Sequence, residues 1–207
     1  MNLFYKFLSF VWALNSKMKI NVCPISDKEI DGNAEKRMQE NEKKAKETAD
    51  RLFPEEKWNQ KTEYGERIYV SDRRKIGNKT NFKDELHDAQ ILRDLGSTVY
   101  LVPENNRSNE KQFDAIVDGE RMELKNQKGK SVRTLKDHFI KSREQAPSVF
   151  INLENSPLSK HKIISTVYKV RNSNDFKETK YPNGGVVILK INGNNSLIKI
   201  NIDDMKG

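Results

Sequence analysis

Two periods of apolar residues alternate along this chain, one suited to helices and one to strands, and each switch marks an element boundary. Residues 26–53 read as a charged helix with Ser26 or Asp31 as caps, a thin stripe of Ala34, Met38, Ala45, Ala49 and Leu52, and a stop at Pro54. So few large apolar side chains bury little, and the pattern predicts a solvated arm or linker helix. Residues 54–66 are polar and loop-like, Arg67 to Ser71 reads as a short strand, and a basic loop runs from Asp72 to Lys79. From Thr80 the pattern tightens. Asn81 caps a helix with the stripe Leu86, Ala89, Leu92 and Leu95, ended by Gly96. Thr98 to Val102 is a strand and Glu104 to Lys111 a polar loop. A hairpin, a helix carrying Val132, Leu135, Phe139, Ser142 and Ala146, and an apolar strand over Ser148 to Leu153 follow. Ser156 and Pro157 open a third helix with Ile163, Ile164, Val167 and Val170 on its stripe. Val186 to Ile191 and Leu197 to Ile202 close the chain as a terminal hairpin.

The succession helix, strand, strand, strand, helix, strand between Thr80 and Leu153 predicts an α/β fold, bordering on α+β, with a mixed sheet flanked by helices. Its centre is the hairpin over residues 112–125. Asp118-Gly119 is a two-residue turn signal, because both central residues of that turn need φ > 0. Counting outward places Val117 opposite Glu120, Ile116 opposite Arg121, Ala115 opposite Met122 and Asp114 opposite Glu123. Alternation gives one face Phe113, Ala115, Val117, Met122 and Leu124, and the other Asp114, Arg121, Glu123 and Lys125. Two carboxylates across a hairpin repel each other. A metal ion, a shared proton or the Lys125 ammonium would compensate. A charged face turned simply to solvent is the alternative.

Composition narrows the partners. A net charge of +8 with a charged fraction of 33% favours a polyanion, nucleic acid ahead of a membrane surface. One cysteine, Cys23, excludes an internal disulfide framework and a cysteine-based zinc site. Residues 1–14 are apolar and aromatic, but Lys6 interrupts them and no small-x-small cleavage site follows, so a signal peptide is not expected. The run is too short to span a bilayer, leaving a membrane-surface helix, a partner-docking helix or the remnant of a longer parent as alternatives.

Glu85 lies on the stripe of the helix after Thr80 and faces the sheet, one turn before Ala89; a first-turn carboxylate favoured by the helix dipole is the alternative. With Asp114 and Glu123 it makes three candidate ligands for Mg²⁺ or another hard divalent cation, which polarises a phosphodiester and acidifies a bound water. Lys125 positions that water or stabilises the phosphorane. Lys128, Lys130, Arg133, Lys136, Lys141 and Arg143 follow directly, a candidate nucleic-acid-binding set whose alternative is a solvated helix face. Gln145 is a further candidate at the helix end, and Glu104 a possible additional ligand. A metal-free RNase needs an acid and a base, for which His87 and His138 are candidates. His161 reads as structural or solvated.

Asp114 followed by Glu123-Leu124-Lys125 resembles the Asp…(Asp/Glu)-x-Lys signature of PD-(D/E)xK nucleases, with Glu85 matching the acidic residue of their first core helix and Gln145 a polar helix residue near their active site. Phe113 stands where a proline often precedes the Asp. The resemblance implies an αβββαβ restriction-endonuclease-like core. Over roughly residues 64–200, the segments Gly65 to Ser71, Leu101 to Glu104, Asp114 to Gly119 and Gln145 to Leu153 resemble the C-terminal toxin nucleases of contact-dependent growth inhibition proteins, and similar domains of phage head-morphogenesis proteins. Many in that group cleave tRNA, and some adopt a metal-free barnase/EndoU-like fold. The implied organisation is an apolar segment and charged arm over residues 1–60 and a nuclease-like toxin domain over 64–207. The implied activity is a toxin-effector nuclease with RNA, particularly tRNA, slightly favoured over DNA. It would act in the cytoplasm after delivery into target cells or as a phage-associated product, and be held by an acidic immunity protein. A nucleic-acid-binding or phage structural module without catalysis is the alternative.

Overall fold

The computed structural model describes residues 20–24, 32–60, 65–74, 79–103, 112–193 and 196–205. In chain order its elements are β1 (Ile20–Pro24), α1 (Gly32–Leu52), β2 (Trp58–Gln60), β3 (Ile68–Ser71), α2 (Lys79–Asp94), β4 (Val99–Leu101), β5 (Ala115–Val117) and β6 (Glu120–Asn126). Then come α3 (Val132–Ser142), β7 (Ser148–Leu153), α4 (Lys160–Arg171), the short α5 (Asn174–Lys177), β8 (Val186–Ile191), β9 (Ser196–Asn201) and a 3₁₀ turn, Asp203–Met205. The strands form one mixed sheet in the order β1-β9-β8-β7-β6-β5-β4-β3-β2. Pairs β3/β4, β6/β7 and β7/β8 are parallel, and the others antiparallel. The α/β fold class and the succession α2-β4-β5-β6-α3-β7 stand as the pattern predicts.

The central hairpin has the register counted from its turn: Val117 with Glu120, Ile116 with Arg121 and Ala115 with Met122. Asp118 (φ 52°) and Gly119 (φ 90°) both take the left-handed conformation that a two-residue turn of this hand requires. On one side of the sheet, Ala89 and Leu92 of α2 pack on Val99, Leu101, Ala115, Val117, Met122 and Leu124. On the other, Leu135 and Phe139 of α3 and Ile163 and Val167 of α4 cover the apolar residues of β7 and β8. Ser131 caps α3 by accepting the Thr134 N–H at 3.2 Å.

Five local expectations differ from the structure. Asn81, read as the cap of its helix, lies inside α2, which begins at Lys79. The helix read as a solvated arm packs on the sheet: Ala45 and Ala49 are fully buried against Tyr100 and Ile116. Alanine contributes little hydrophobic area, yet its small side chain lets the helix backbone approach the sheet closely. The same approach constrains the hairpin turn, since a Cβ at Gly119 would lie 3.1 Å from Lys44 Cβ and 3.2 Å from the Lys44 carbonyl. Trp58–Gln60 is a strand paired antiparallel to β3, where the polar sequence reads as loop. Phe113 leaves the apolar face of its hairpin and joins the opposite cluster, its ring 6.2 Å from Phe53. It lies ahead of the first paired residue of β5, where strict alternation has no ladder to enforce it. The third helix begins at Lys160 with Ser159 as its cap, while Ser156 donates to the Gly129 carbonyl at 2.9 Å. Residues 1–14 and Glu104 lie outside the described residues.

The Ala49 contact predicts that Ala49→Leu overpacks the space between α1 and the sheet and destabilises the fold by about 1–3 kcal/mol. Urea unfolding of the variant against the parent measures it.

Candidate active site

The site forms where neighbouring strands have unequal lengths. Among the described residues β4 stops at Leu101 and β5 starts only at Ala115, whereas β6 runs on to Asn126. Asp114, just before β5, is thereby set beside the second half of β6. Its Oδ2 accepts the Leu124 backbone N–H at 3.0 Å, which pins the carboxylate to the strand. Glu123 and Lys125 project from β6 on the side away from Leu124, as alternation requires. The Lys125 ammonium donates to Glu123 Oε1 and lies 3.9 Å from Asp114 Oδ2. Gln145, just beyond α3, donates its Nε2 to the same Glu123 oxygen at 2.7 Å. Four predicted site residues therefore meet: Asp114, Glu123, Lys125 and Gln145.

Glu123 is 1% exposed, and its Oε2 is buried with no hydrogen-bond partner among the described residues. Burial holds its carboxyl well above the usual carboxylate range, and the neighbouring Asp114 charge adds to that; Lys125 opposes both. Burial alone would lower the Lys125 ammonium, but Glu123 and then Asp114 outweigh it and keep the group raised. The result is a lysine whose ammonium form is favoured beside a carboxyl raised to about 8.

Glu85 stands at the edge of this arrangement. Its carboxylate is ion-paired to Arg74, a residue in the basic loop that sequence reasoning did not single out. Arg74 is itself buried, and its guanidinium also reaches the carbonyls of Val102 and Asp114. Glu85 still acts on Lys125 through its charge. The expected trio of Glu85, Asp114 and Glu123 is thus two converging carboxylates plus one given to an arginine. Among the described residues no group of three or more histidine, cysteine, aspartate or glutamate side chains is arranged to hold a metal ion.

Asp88, three residues beyond Glu85, also escaped the sequence reading. It is fully buried, accepting from Asn152 Nδ2 at 2.8 Å and from Asn126 Nδ2 at 2.7 Å. Burial pushes its carboxyl up to about 8, against those two amides. The available signal was a carboxylate spaced like the apolar stripe, four residues before Leu92. Asp88 ties α2 to the ends of β6 and β7, directly after Lys125.

The basic cluster divides. Lys128, Lys130, Arg133 and Lys141 are exposed, with Lys128 3.4 Å from Asp84. Lys136 is paired with Asp175 at 2.8 Å. Arg143 corrects the expectation of a nucleic-acid contact: it is fully buried and donates to the carbonyls of Pro147, Asn183 and Gly184. Its guanidinium also sits 5.5 Å from the Phe176 ring centroid. Standing two residues beyond the exposed Lys141 does not make Arg143 exposed, because the chain turns at the end of α3. Of the histidines, His87 pairs with Glu154 at 3.1 Å on the surface. His161 is exposed on α4. His138 is half-buried near the site, and its imidazole is lowered by burial, then by Lys125 and Lys141.

Comparison with known proteins bears on this geometry. Residues 111–194 match the family model of the contact-dependent growth inhibition CdiA C-terminal domain. That is less than half of the chain, and it contains Asp114, Glu123, Lys125 and Gln145. No curated protein matches. A solved structure described as a CdiA-CT/CdiI toxin and immunity complex from Burkholderia pseudomallei is similar at 18% identity and a TM-score of 0.43, covering 61% of this chain and 91% of that one. Among the described residues no helix is long and apolar enough to cross a membrane.

Asp88 holds its proton more tightly folded than unfolded. The stability it contributes is therefore complete below the ordinary aspartate range near pH 4 and is lost as pH rises through about 8. Glu123 acts in the same direction. Urea unfolding across that window is expected to show stability falling as pH rises, and Asp88→Asn to flatten the slope in part. An unchanged slope would remove Asp88 as its source.

Proposed function

We propose that this chain is a toxin effector of the contact-dependent growth inhibition type that hydrolyses phosphodiester bonds in nucleic acid, with Asp114, Glu123 and Lys125 at its centre. The observation that carries the reading is the meeting of two carboxylates, one ammonium and the Gln145 amide at the open end of the hairpin, inside the segment that matches the CdiA C-terminal domain. RNA, tRNA in particular, is the favoured substrate class, and DNA the second. The net charge of +8 supports a polyanionic substrate and an acidic immunity protein as partner. Delivery into target cells, with action in the cytoplasm, follows from the same reading.

Each residue has a chemical task. Lys125, its ammonium secured by Glu123 and Asp114, neutralises negative charge developing on the phosphorane oxygens. Glu123, titrating above the ordinary carboxylate range, takes a proton from the attacking oxygen in its ionised form. Gln145 holds the Glu123 carboxylate in place. In place of that base role, Glu123 Oε2, buried beside Asp114 with no hydrogen-bond partner among the described residues, suits a divalent cation: Mg²⁺ binds through one or two carboxylates together with substrate phosphate, and when held by Asp114 and Glu123 it would supply Lewis-acid activation and hold Glu123 ionised. Glu85 supports the site through its charge, and the exposed Lys128, Lys130, Arg133 and Lys141 flank it. The position of His138 near Lys125 favours, as a second reading, a metal-free RNase in which its neutral imidazole is the base.

Purified protein incubated with tRNA and with plasmid DNA, each with Mg²⁺ or with EDTA, separates these. Lys125→Ala is expected to lower cleavage by about 10²–10³-fold, with folding checked by urea midpoint. Cleavage of tRNA that survives EDTA and is lost in His138→Ala would replace the metal reading with the histidine one. Cleavage by neither route would leave a binding module. With Glu123 as the base, the rate rises with pH across its titration, and Glu123→Gln removes that limb.

A further inference from the structure

Arg121 precedes Glu123 by two residues on β6 and projects from the same face, roughly 7 Å along the strand. Its guanidinium carbon lies 5.9 Å from the Phe113 ring centroid and 5.3 Å from that of Tyr181. Tyr181 is anchored by its backbone N–H, which donates to the Arg143 carbonyl at 3.1 Å. Lys180 Nζ lies 5.6 Å from the Tyr181 ring, adding a second cation to the group. Two aromatic rings thus hold the Arg121 head, while among the described residues no carboxylate or carbonyl accepts from it. A partly buried guanidinium with its donor fork unused is suited to a planar or tetrahedral anion.

Arg121 also opens into a cavity of about 420 Å³ between the end of α1 and the β5–β6 turn, where Arg51, Leu52, Glu120 and Pro147 form other parts of the wall. Leu52 is 37% exposed there, the one large apolar side chain so exposed among the described residues. Gln145, two residues before Pro147, joins this wall to Glu123. The volume falls in the range of a small-ligand pocket, and its lining combines two arginines and Glu120, whose carboxylate accepts from the Ser148 hydroxyl at 3.0 Å, with the apolar Leu52 and Pro147.

We propose that Phe113, Arg121 and Tyr181, with this cavity, form a subsite for one unpaired nucleotide next to the scissile phosphodiester, so that the substrate is single-stranded. The inference rests on the nuclease reading and specifies its substrate. Arg121 donates to a phosphate, while an unstacked base lies against the aromatic and guanidinium surfaces, which accept any base through its π-face. A base within a duplex keeps its stacking partners and cannot present that face. A cavity of about 420 Å³ has room for a nucleotide-sized group.

The test reads binding without cleavage, in Lys125→Ala protein, by fluorescence anisotropy with a short labelled single-stranded RNA and with a duplex of the same sequence. The single strand is expected to bind more tightly. Adding Arg121→Ala or Tyr181→Ala should weaken it by about tenfold or more, the scale of one lost stacking contact, with the duplex little affected. Arg121→Lys, which keeps the charge and loses the planar fork, should fall between. Inorganic phosphate as competitor should displace the RNA poorly, because it lacks the base. Single-strand affinity within about twofold of the parent in both alanine variants, at unchanged urea midpoints, overturns the subsite; so does equal weakening of duplex binding. Loss of single-strand binding in a protein that never cleaves would leave the subsite standing and remove the nuclease reading.

Discussion

Two carboxylates and one ammonium crowd together beside β6, one carboxylate fully buried and the other two groups partly exposed, and much of the neighbouring structure is arranged around that crowding. Charged groups leave water only when each finds an opposite charge or a hydrogen bond. Here Asp114 is fixed by the Leu124 N–H, Glu123 by Lys125 and Gln145, and Lys125 by both acids. Among the described residues one oxygen of Glu123 still lacks a hydrogen-bond partner. Burial, and then the neighbouring Asp114 charge, raise the Glu123 carboxyl to about 8 against the opposing Lys125 ammonium.

The supporting shell is also polar. Arg74 carries Glu85 and reaches the carbonyl of Asp114; Asp88 carries Asn126 and Asn152 at the ends of two parallel strands. These buried contacts have demanding geometry and weak net stabilising power, because desolvation offsets much of their attraction. The apolar layers on both faces of the sheet supply the driving force, and the polar contacts restrict which arrangement that force selects. Arg143 serves the same purpose at the end of α3, gathering three carbonyls under the loop that leads to Tyr181.

The legible parts of the sequence were those where local chemistry and long-range packing agree. The Asp118-Gly119 turn determined the hairpin register because only a few dipeptides tolerate two positive φ values, and register then placed Glu123 and Lys125 on one face. The α2 and α3 stripes were readable for a similar reason, since each is large and apolar. Small or polar residues with long-range partners were not readable. Ala45 and Ala49 signal weakly as hydrophobic residues but matter as close-contact residues. Arg143 and Arg74 resemble their solvated neighbours in sequence, and only the chain turning over them separates buried from exposed cations.

The sequence by itself thus determined the α/β element order, the hairpin, its acidic and basic face and the net charge of +8. These depend on φ preferences, side-chain alternation and net charge, all of which are local or summed. Only the tertiary structure decided that α1 belongs against the sheet, that Gln145 reaches Glu123 while Glu85 goes to Arg74, and that Arg121 is held between Phe113 and Tyr181. Those pairings join residues far apart in the chain, and no local propensity records which of several equivalent charges will be brought together when the layers close.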